Sequence, residues 1–315
     1  MTNIQVGIGS CLTGKPVRYN GDHKRTNPHI AALSDHVKLV PICPEVGIGL
    51  GVPRETIRLV VEGDTTRLKN SSTQTIDHTD AMHDLGEQMT PLIKQLSGYI
   101  FVKGSPSCGL ERVSRYNEKG NFKDQKGIGI FAEKLLEIEP LLPVEEDGRL
   151  HDPLLRERFI VQVYTWQAWK ELIKDDYSIK DLIQFWAKSK YLIMSRHYPS
   201  YKKIGQLLAQ PNKESPAETA QQLITLIMSA LKILPSRKAH TNVLQHMKGY
   251  LKNKLSQTES KDIDEKIEQY RLHRVPLIVP MSLLQHQFKE HPHPYIEQQV
   301  FMSPYPEQLG LRNNI

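Results

Sequence analysis

Three cysteines stand out in this 315-residue sequence, because the chain contains no others. Cys11 lies in "GSCLTG", Cys43 in "PICPE" and Cys108 in "SPSCG", and each follows a short apolar run. The count is odd and no C-x-x-C pair occurs, so we expect reduced thiols rather than a disulfide framework. A free cysteine is often only a small buried hydrophobe. All three cysteines lie beside turn-forming residues, however, and this favours a shared site over three separate buried residues.

Three converging thiolates could bind a metal ion or a cluster. Structural zinc takes four ligands, usually from paired cysteines, although a catalytic zinc with three cysteines stays open as an alternative. Iron–sulfur clusters suit thiolate ligands and normally take four of them. With three cysteines, one iron would be left without a protein ligand. Such an iron is a Lewis acid that can bind a substrate atom.

The elements around the cysteines predict a parallel sheet. "IQVGIGS" from Ile4 is typical of a strand, "PHIAALSDHV" from Pro28 of a helix, and "VKLVPIC" from Val37 of a second strand. A hairpin follows in "TIRLVVEGDTTRLKNSS", and helical spacing continues from residue 77 to residue 96. A third strand, "GYIFVKG", then a helix and a fourth strand, "LLPVEE", complete this half. The predicted fold class is α/β, with an open, mainly parallel, Rossmann-like sheet in three layers.

Parallel strands end at one edge of their sheet, and open α/β folds bind ligands at that edge. The cysteines are 32 and 65 positions apart in the sequence. Because each follows a predicted strand, we expect them to converge there.

Three segments in this order, "GIGSCLTGKPVRYNGDHK", "PICPEVGIGLGVPRETIRL" and "GYIFVKGSPSCGLERV", resemble the thiouracil desulfurase family. The resemblance covers about the first 165 residues. It implies a [4Fe-4S] cluster with three cysteine ligands, Cys11, Cys43 and Cys108, and one open iron. It also implies an enzyme in which the sulfur of a thiolated pyrimidine binds that iron. Oxygen from water then replaces the sulfur without redox change, which is carbon–sulfur cleavage of the hydrolase or lyase type.

Removing sulfur from a thiocarbonyl requires a proton for the ring nitrogen and a group that guides or deprotonates water. Glu45 is two residues from a predicted ligand and suits the proton work, although a helix cap or an ion pair is its alternative role. The pattern "SPSCG" favours Ser105 as the catalytic partner of Glu45, with Ser107 supporting it. Both serines could instead only stabilise the turn.

Five further polar residues in these segments are predicted to bind the substrate or to offset the negative charge of a thiolate-ligated cluster. Ordinary surface ion pairs are the alternative for several of them. They are Arg18, Tyr19, Asp22, Arg54 and Lys103.

The second half of the sequence predicts a smaller, all-α domain of five to seven helices. Apolar residues recur there at three- and four-residue spacing, as in "DLIQFWAKSKYLIM". The segments "RKAHTNVLQHMKGYLKNKL", "RVPLIVPMSLLQHQF" and "YPEQLGLRNNI" resemble the YbgA-like helical domain, whose function that resemblance does not supply. We therefore predict a desulfurase-like domain over residues 1–176 and a YbgA-like domain over residues 177–315.

The net charge of +6 is concentrated in the second half. Residues 177–315 contain 19 Lys and Arg against 11 Asp and Glu, whereas residues 1–176 contain 22 against 24. This excess is typical either of a solvated cationic face or of a surface that attracts RNA phosphates. Thiolated transfer RNA is therefore a candidate partner beside a small thiolated pyrimidine, although no recognised RNA-binding motif occurs.

No apolar run approaches the roughly 18 to 20 residues that span a bilayer, and the first residues lack a basic segment followed by a long apolar stretch. We expect a cytoplasmic protein without a membrane partner. A non-catalytic protein that holds zinc or a cluster is a further alternative. The sequence leaves open the exact substrate, the sulfur acceptor and the oligomeric state.

Overall fold

Parallel strand pairing organises the first half of the computed structural model, which describes residues 4–24, 27–212 and 215–315. Within them, β1, β2, β5 and β8 form one parallel sheet in the order β2-β1-β5-β8, and a second sheet has the order β4-β3-β6-β7. The strands are β1 (Gln5–Gly9), β2 (Lys38–Ile42), β3 (Ile57–Glu62), β4 (Thr65–Asn70), β5 (Gly98–Phe101), β6 (Val113–Asn117), β7 (Phe122–Gly127) and β8 (Val144–Glu146).

Five helices accompany these strands in the described part of the first half. They are α1 (Pro28–Ser34), α2 (Pro44–Gly47), α3 (Thr79–Gln88), α4 (Thr90–Gln95) and α5 (Ile130–Ile138). The predicted α/β class with a parallel sheet is confirmed.

The register of the two central strands is fixed by a close contact. Gly7 of β1 pairs with Tyr99 of β5, and a Cβ atom built on Gly7 would lie only 2.4 Å from the Tyr99 ring. Glycine is therefore required at this position. The apolar residues of β1 and β5 are almost fully buried, which explains why "IQVGIGS" and "GYIF" form inner strands.

Two details differ from the sequence prediction. The helix expected from residue 77 to residue 96 is two helices, α3 and α4, because Pro91 at the start of α4 cannot continue the hydrogen bonding of α3. The second sheet includes β6 and β7, which the sequence analysis did not predict. Their residues are mostly polar and half exposed, so they lack the apolar alternation that marks a strand.

The second half is helical throughout its described residues, as predicted. Its helices are α6 (Pro153–Leu172), α7 (Ile179–Arg196), α8 (Tyr198–Ala209), α9 (Pro216–Leu231), α10 (Arg237–Gly249), α11 (Gln257–Arg271), α12 (Ile278–Glu290) and α13 (Pro294–Glu297). Short 3₁₀ turns follow near the end of the sequence. None of the helices in the described residues is long and apolar enough to cross a bilayer.

The chain divides into two units, Met1–Asp152 and Pro153–Ile315, which we call the N-terminal unit and the helical unit. The division predicted at residue 176 falls instead at the other end of α6, so the structure groups α6 with the helices that follow. A buried ion pair contributes to this grouping. The Arg196 Nη2 of α7 lies 2.5 Å from the Glu157 Oε2 of α6, and both side chains are almost fully buried.

Replacing Glu157 by Ala should destabilise the helical unit by about 3 to 5 kcal/mol, because it leaves the buried Arg196 charge without its partner. All three tryptophans of the chain, Trp166, Trp169 and Trp186, lie in α6 and α7, so tryptophan fluorescence during urea unfolding follows this unit selectively. Glu268→Ala, which breaks the exposed ion pair with Arg271, is the control and should leave the urea midpoint of the tryptophan transition nearly unchanged. Equal urea midpoints for the two variants would contradict the prediction.

Candidate active site

The three cysteines lie on three loops that leave the carboxyl edge of the parallel sheet. Cys11 occupies a 3₁₀ turn after β1, Cys43 is the residue before α2, and Cys108 lies in the loop after β5. All three line one cavity of about 300 Å³. Cys11 and Cys43 are partly exposed, whereas Cys108 is only 6% exposed. The structure thus brings together the residues that the strand-end argument placed at one edge.

The Cys108 loop is anchored on the start of α5. The backbone N–H of Phe131 donates to the Ser107 carbonyl at 2.9 Å, and the N–H of Gly129 donates to the Gly109 carbonyl at 2.8 Å. Gly129 must be a glycine, because a Cβ atom there would lie 2.6 Å from the Ser107 carbonyl group and 2.7 Å from the Cys108 nitrogen. The position of Cys108 therefore depends on close backbone packing rather than on loop length.

Glu45 is held by two groups, one on each carboxylate oxygen. Its Oε2 accepts from the Arg54 Nε at 2.8 Å and from the Arg54 Nη2 at 2.6 Å. Its Oε1 accepts from the Ser107 hydroxyl at 2.6 Å. The two guanidinium donors converge on one carboxylate oxygen and the hydroxyl engages the other, and charge-assisted hydrogen bonds of this kind are strong. Glu45 is therefore oriented from both sides and keeps a side-chain exposure of 16%.

The two serines continue this chain of hydrogen bonds to the cysteine. The Ser107 and Ser105 hydroxyl oxygens are 3.0 Å apart, and the Ser105 oxygen accepts from the Cys108 backbone N–H at 3.2 Å. The Cys108 thiol donates to the same Ser105 oxygen at 3.4 Å. Ser107 is fully buried, whereas Ser105 is partly exposed at the cavity. Ser105 is thus the serine that a molecule in the cavity can reach.

Four of the five predicted substrate-binding residues line the cavity, and one does not. Arg18, Tyr19, Arg54 and Lys103 are lining residues. Arg54 is fully engaged by the protein, since its Nη2 also donates to the Val17 carbonyl at 2.9 Å and its Nη1 to the Gly51 carbonyl at 3.2 Å. Asp22 is exposed outside this lining and accepts from the His23 backbone N–H. A substrate contact by any of them stays a prediction.

The sequence analysis missed a lysine and an aspartate. Lys24 lines the cavity, and its Nζ lies 3.2 Å from the Asp147 Oδ2. The buried Asp147 follows β8 at the same edge of the sheet, and its Oδ1 accepts from the Lys103 backbone N–H at 2.9 Å. It thereby links two walls of the cavity. The strand-end rule, applied to "LLPVEED", would have found it.

Burial dominates the chemistry of the thiols. It raises the pKa of Cys11 and of Cys43, and it raises the pKa of Cys108 to about 12. The positive charges of Lys24 and Arg18 act in the opposite direction on Cys11. The thiols are therefore protonated at neutral pH in the metal-free protein, and a metal centre would displace these protons on binding.

The donor set fits a cluster better than it fits a single ion. In the described part of the chain, no three His, Cys, Asp or Glu side chains converge closely enough to hold one metal ion. In a cluster each thiolate bonds to a different iron, so three cysteines around a cavity need not meet at a point. Cationic side chains at the same cavity, Arg18, Lys24 and Lys103, suit the negative charge of a thiolate-ligated cluster.

The N-terminal unit is thus an α/β domain with three thiols around one cavity, and it is followed by a helical unit. Comparisons with known proteins give the family of the N-terminal unit. Residues 6–147 match the family model described as 2-thiouracil desulfurase. The uncharacterized protein YbbK of Bacillus subtilis (strain 168) is 30% identical over 135 residues, which cover 40% of this chain and 85% of the relative. The chain therefore belongs to the 2-thiouracil desulfurase family through its N-terminal unit.

The helical unit has its own match. Residues 190–306 match the family model of a protein of unknown function, DUF1722. The uncharacterized protein YbgA of Escherichia coli (strain K12) is 23% identical over 134 residues, covering 42% of this chain and 79% of the relative.

A solved structure is also similar to this chain. It is titled as the [4Fe-4S]-dependent thiouracil desulfidase TudS, is 25% identical and covers 47% of this chain and 94% of its own, with a TM-score of 0.39. The predicted pairing of a desulfurase domain with a YbgA-like domain is confirmed.

In the metal-free protein, iodoacetamide should modify Cys11 and Cys43 well before Cys108, because only Cys108 is buried beneath its loop. Gly129→Ala should remove much of this protection by displacing the Cys108 backbone. Peptide mass spectrometry after timed labelling measures the three rates. Gly205→Ala in α8, where a Cβ atom meets nothing within 4 Å, is the matched control and should change none of them. Equal rates at all three cysteines in the unsubstituted protein would show that the loop does not shield Cys108.

Proposed function

We propose that this protein is an iron–sulfur-dependent desulfurase that converts a thiolated pyrimidine, of the thiouracil type, to the corresponding oxo compound. The arrangement of Glu45, Ser107 and Ser105 beside Cys108 carries the proposal, because it joins a carboxylate to a cavity lined by three thiols. Membership of the 2-thiouracil desulfurase family supports it. The proposed cofactor is a [4Fe-4S] cluster held by Cys11, Cys43 and Cys108.

When bound, such a cluster would supply an iron without a protein ligand, a Lewis acid with affinity for the sulfur of the substrate. The overall reaction balances without an oxidant or a reductant. Water adds its oxygen to the ring carbon, the carbon–sulfur bond breaks, and sulfur leaves as hydrosulfide. The protein must therefore accept a proton from water and supply one to the departing or ring-bound atoms.

Glu45 is the group placed for this proton transfer. Its Oε2 is occupied by Arg54, so the Oε1, which accepts from Ser107, is the oxygen that exchanges a proton. Ser107 passes the proton to Ser105 across 3.0 Å, and Ser105 presents its hydroxyl to the cavity. In this assignment Glu45 is the acid and base, Ser105 contacts the substrate, and Ser107 connects the two.

Arg54 acts through Glu45 rather than on the substrate. Its side chain is only 6% exposed, and its donors hold Glu45, the Val17 carbonyl and the Gly51 carbonyl. The more exposed cations Arg18 and Lys103 are proposed to orient the polar edge of a pyrimidine, whereas Lys24 is paired with Asp147 in the cavity wall. Tyr19, which is 43% exposed at the rim, can cover a planar ring.

Protein purified without oxygen should be brown and contain about four irons per chain, and Cys108→Ala should lose the cluster. Glu45→Gln and Ser107→Ala should keep the iron and lose turnover of 2-thiouracil by roughly 10² to 10⁴, the usual contribution of acid–base catalysis. Iron and sulfide analysis with spectroscopic detection of uracil measures both quantities.

Ser114→Ala, in β6 of the second sheet, is the matched serine control and should keep both iron and turnover. A colourless protein with one zinc would remove the iron-based proposal in favour of a zinc-binding role. A fully loaded protein that leaves every thiopyrimidine unchanged would favour a non-catalytic cluster protein instead.

A second candidate function is action on thiolated transfer RNA, or binding to it, through the helical unit. Residues 153–315 contain 23 Lys and Arg against 15 Asp and Glu. Aromatic rings accompany this charge: Tyr198 stacks on Tyr201 at 5.5 Å, and the Lys202 Nζ lies 5.2 Å from the Tyr198 ring centre. Tyr198 is 49% exposed. Stacked aromatic rings beside cations are typical of surfaces that bind single-stranded nucleic acid.

Transfer RNA should bind the full chain at low ionic strength with an affinity that falls steeply with salt. The double variant Tyr198→Ala/Lys202→Ala should weaken binding by about tenfold, because it removes one stacking surface and one phosphate contact. Lys254→Ala removes the same charge from the turn after α10 and should have the smaller effect. Fluorescence anisotropy with labelled transfer RNA measures the constants, and absence of binding at low salt would exclude this function.

A further inference from the structure

The phenolic hydroxyl of Tyr99 is an unexplained polar group in β5, the strand that leads to the Cys108 loop. Tyr99 lies in the middle of β5 and is fully buried. Its oxygen has no hydrogen-bond partner among the described residues. Buried polar groups in proteins are nearly always paired, and an unpaired hydroxyl costs free energy that a phenylalanine would not. The metal-free arrangement therefore gives no reason for a tyrosine at this position.

The aromatic ring itself is held firmly. The ring fills the space above the Gly7 backbone. The distance between ring centroids is 4.4 Å to Phe101 and 6.3 Å to Phe131. These neighbours are apolar, and they would accept a phenylalanine ring equally well. The ring contacts thus explain the size and shape of the residue, and they leave the hydroxyl unexplained.

The hydroxyl lies within electrostatic reach of the three cysteines. After burial, the charges of Cys108, Cys43 and Cys11, in that order, are the causes that raise the pKa of Tyr99 well above its ordinary value. A negative charge on these sulfur atoms, such as that of a thiolate bound to a cluster, therefore acts on the hydroxyl. Cys108 is also the cysteine whose loop follows directly on β5, the strand that carries Tyr99.

We propose that the Tyr99 hydroxyl donates a hydrogen bond to a sulfur atom of the bound cluster, the Cys108 thiolate included. The inference rests on the proposed function, since the acceptor is present only when the cluster is bound. A thiol that loses its proton becomes an acceptor, and sulfur atoms of clusters accept hydrogen bonds that set their potential and stability. Tyr99 is then a positioning residue that stabilises the cofactor and takes no part in proton transfer to the substrate.

This assignment predicts opposite effects of one substitution in the two states of the protein. Tyr99→Phe keeps the ring and removes only the hydroxyl. In metal-free protein it should leave the melting temperature of the N-terminal unit unchanged or raise it by up to about 4 °C, because a buried unpaired group is removed. In cluster-loaded protein it should speed the loss of iron to a chelator by about fivefold, because a change of this size corresponds to the net free energy of one ordinary hydrogen bond. It should also shift the reduction potential to a more negative value.

Tyr305→Phe is the control, because Tyr305 is likewise a buried tyrosine without a hydrogen bond of normal geometry among the described residues, although Arg312 lies nearby, and it belongs to the helical unit. It should change neither iron loss nor potential. Circular dichroism follows melting of the full chain, and tryptophan fluorescence identifies the transition of the helical unit. Chelator kinetics and a redox titration follow the cluster.

Two results would overturn the inference. Iron loss and potential in Tyr99→Phe that equal those of Tyr305→Phe would show that the hydroxyl does not contact the cluster. A lower melting temperature in the metal-free Tyr99→Phe protein would show that the hydroxyl already has a structural partner. Failure of the proposed function is distinguishable from both, because it appears in the unsubstituted protein, either as absence of a cluster or as absence of turnover by the loaded protein.

Discussion

Parallel pairing of β1 with β2 and with β5 is the constraint on which the candidate site depends. Gly9 pairs with Ile42, and Ile8 pairs with Ile100, so the three strands end close to the same level. Each strand then releases a loop that carries one cysteine. The distances between the cysteines along the sequence are consequently irrelevant, because the sheet sets their separation in space. A one-residue change in register would move the loops and the sheet faces together.

Two carboxylates, the partly exposed Glu45 and the buried Asp147, convert these loops into a defined cavity. Glu45 joins the loop after β2 to the loop after β5 through Ser107, and Arg54 adds the loop after β1 by way of the Val17 carbonyl. Asp147 joins Lys24 to the Lys103 backbone on another wall. Charged groups in such positions are stable only when their partners are present. The site therefore depends on interactions between loops as well as on the packing of each loop against the fold.

The sequence predicts the parts of this arrangement that follow from local periodicity and from strand ends. Apolar runs mark β1, β2 and β5, and the turn residues beside the cysteines place them at one edge, so both the class of the fold and the candidate ligands could be inferred. The partner of Arg54 could not, because it depends on how residues 48–54 fold back on Glu45. The same holds for Asp22, whose neighbours in the motif line the cavity while its own side chain accepts from the adjacent His23 backbone N–H.

Other elements were hidden for energetic reasons. β6 and β7 gain their stability from pairing with β3 and with each other, and their sequences contain little apolar pattern. The end of the N-terminal unit was hidden because the buried residues of α6 occur around much of the helix, so its apolar periodicity does not indicate which elements it packs against. The buried pair of Glu157 with Arg196 and the packing of α6 on α9 show that it belongs to the helical unit.

Every group described at the candidate site lies between Gly9 and Asp147, before the first residue of the helical unit. During synthesis the ribosome makes the whole site before it adds the 163 residues of the helical unit. At usual elongation rates this takes roughly 10 to 30 seconds. The N-terminal unit thus has time to close its sheet and to present its three thiols for cofactor insertion while the helical unit is still being made.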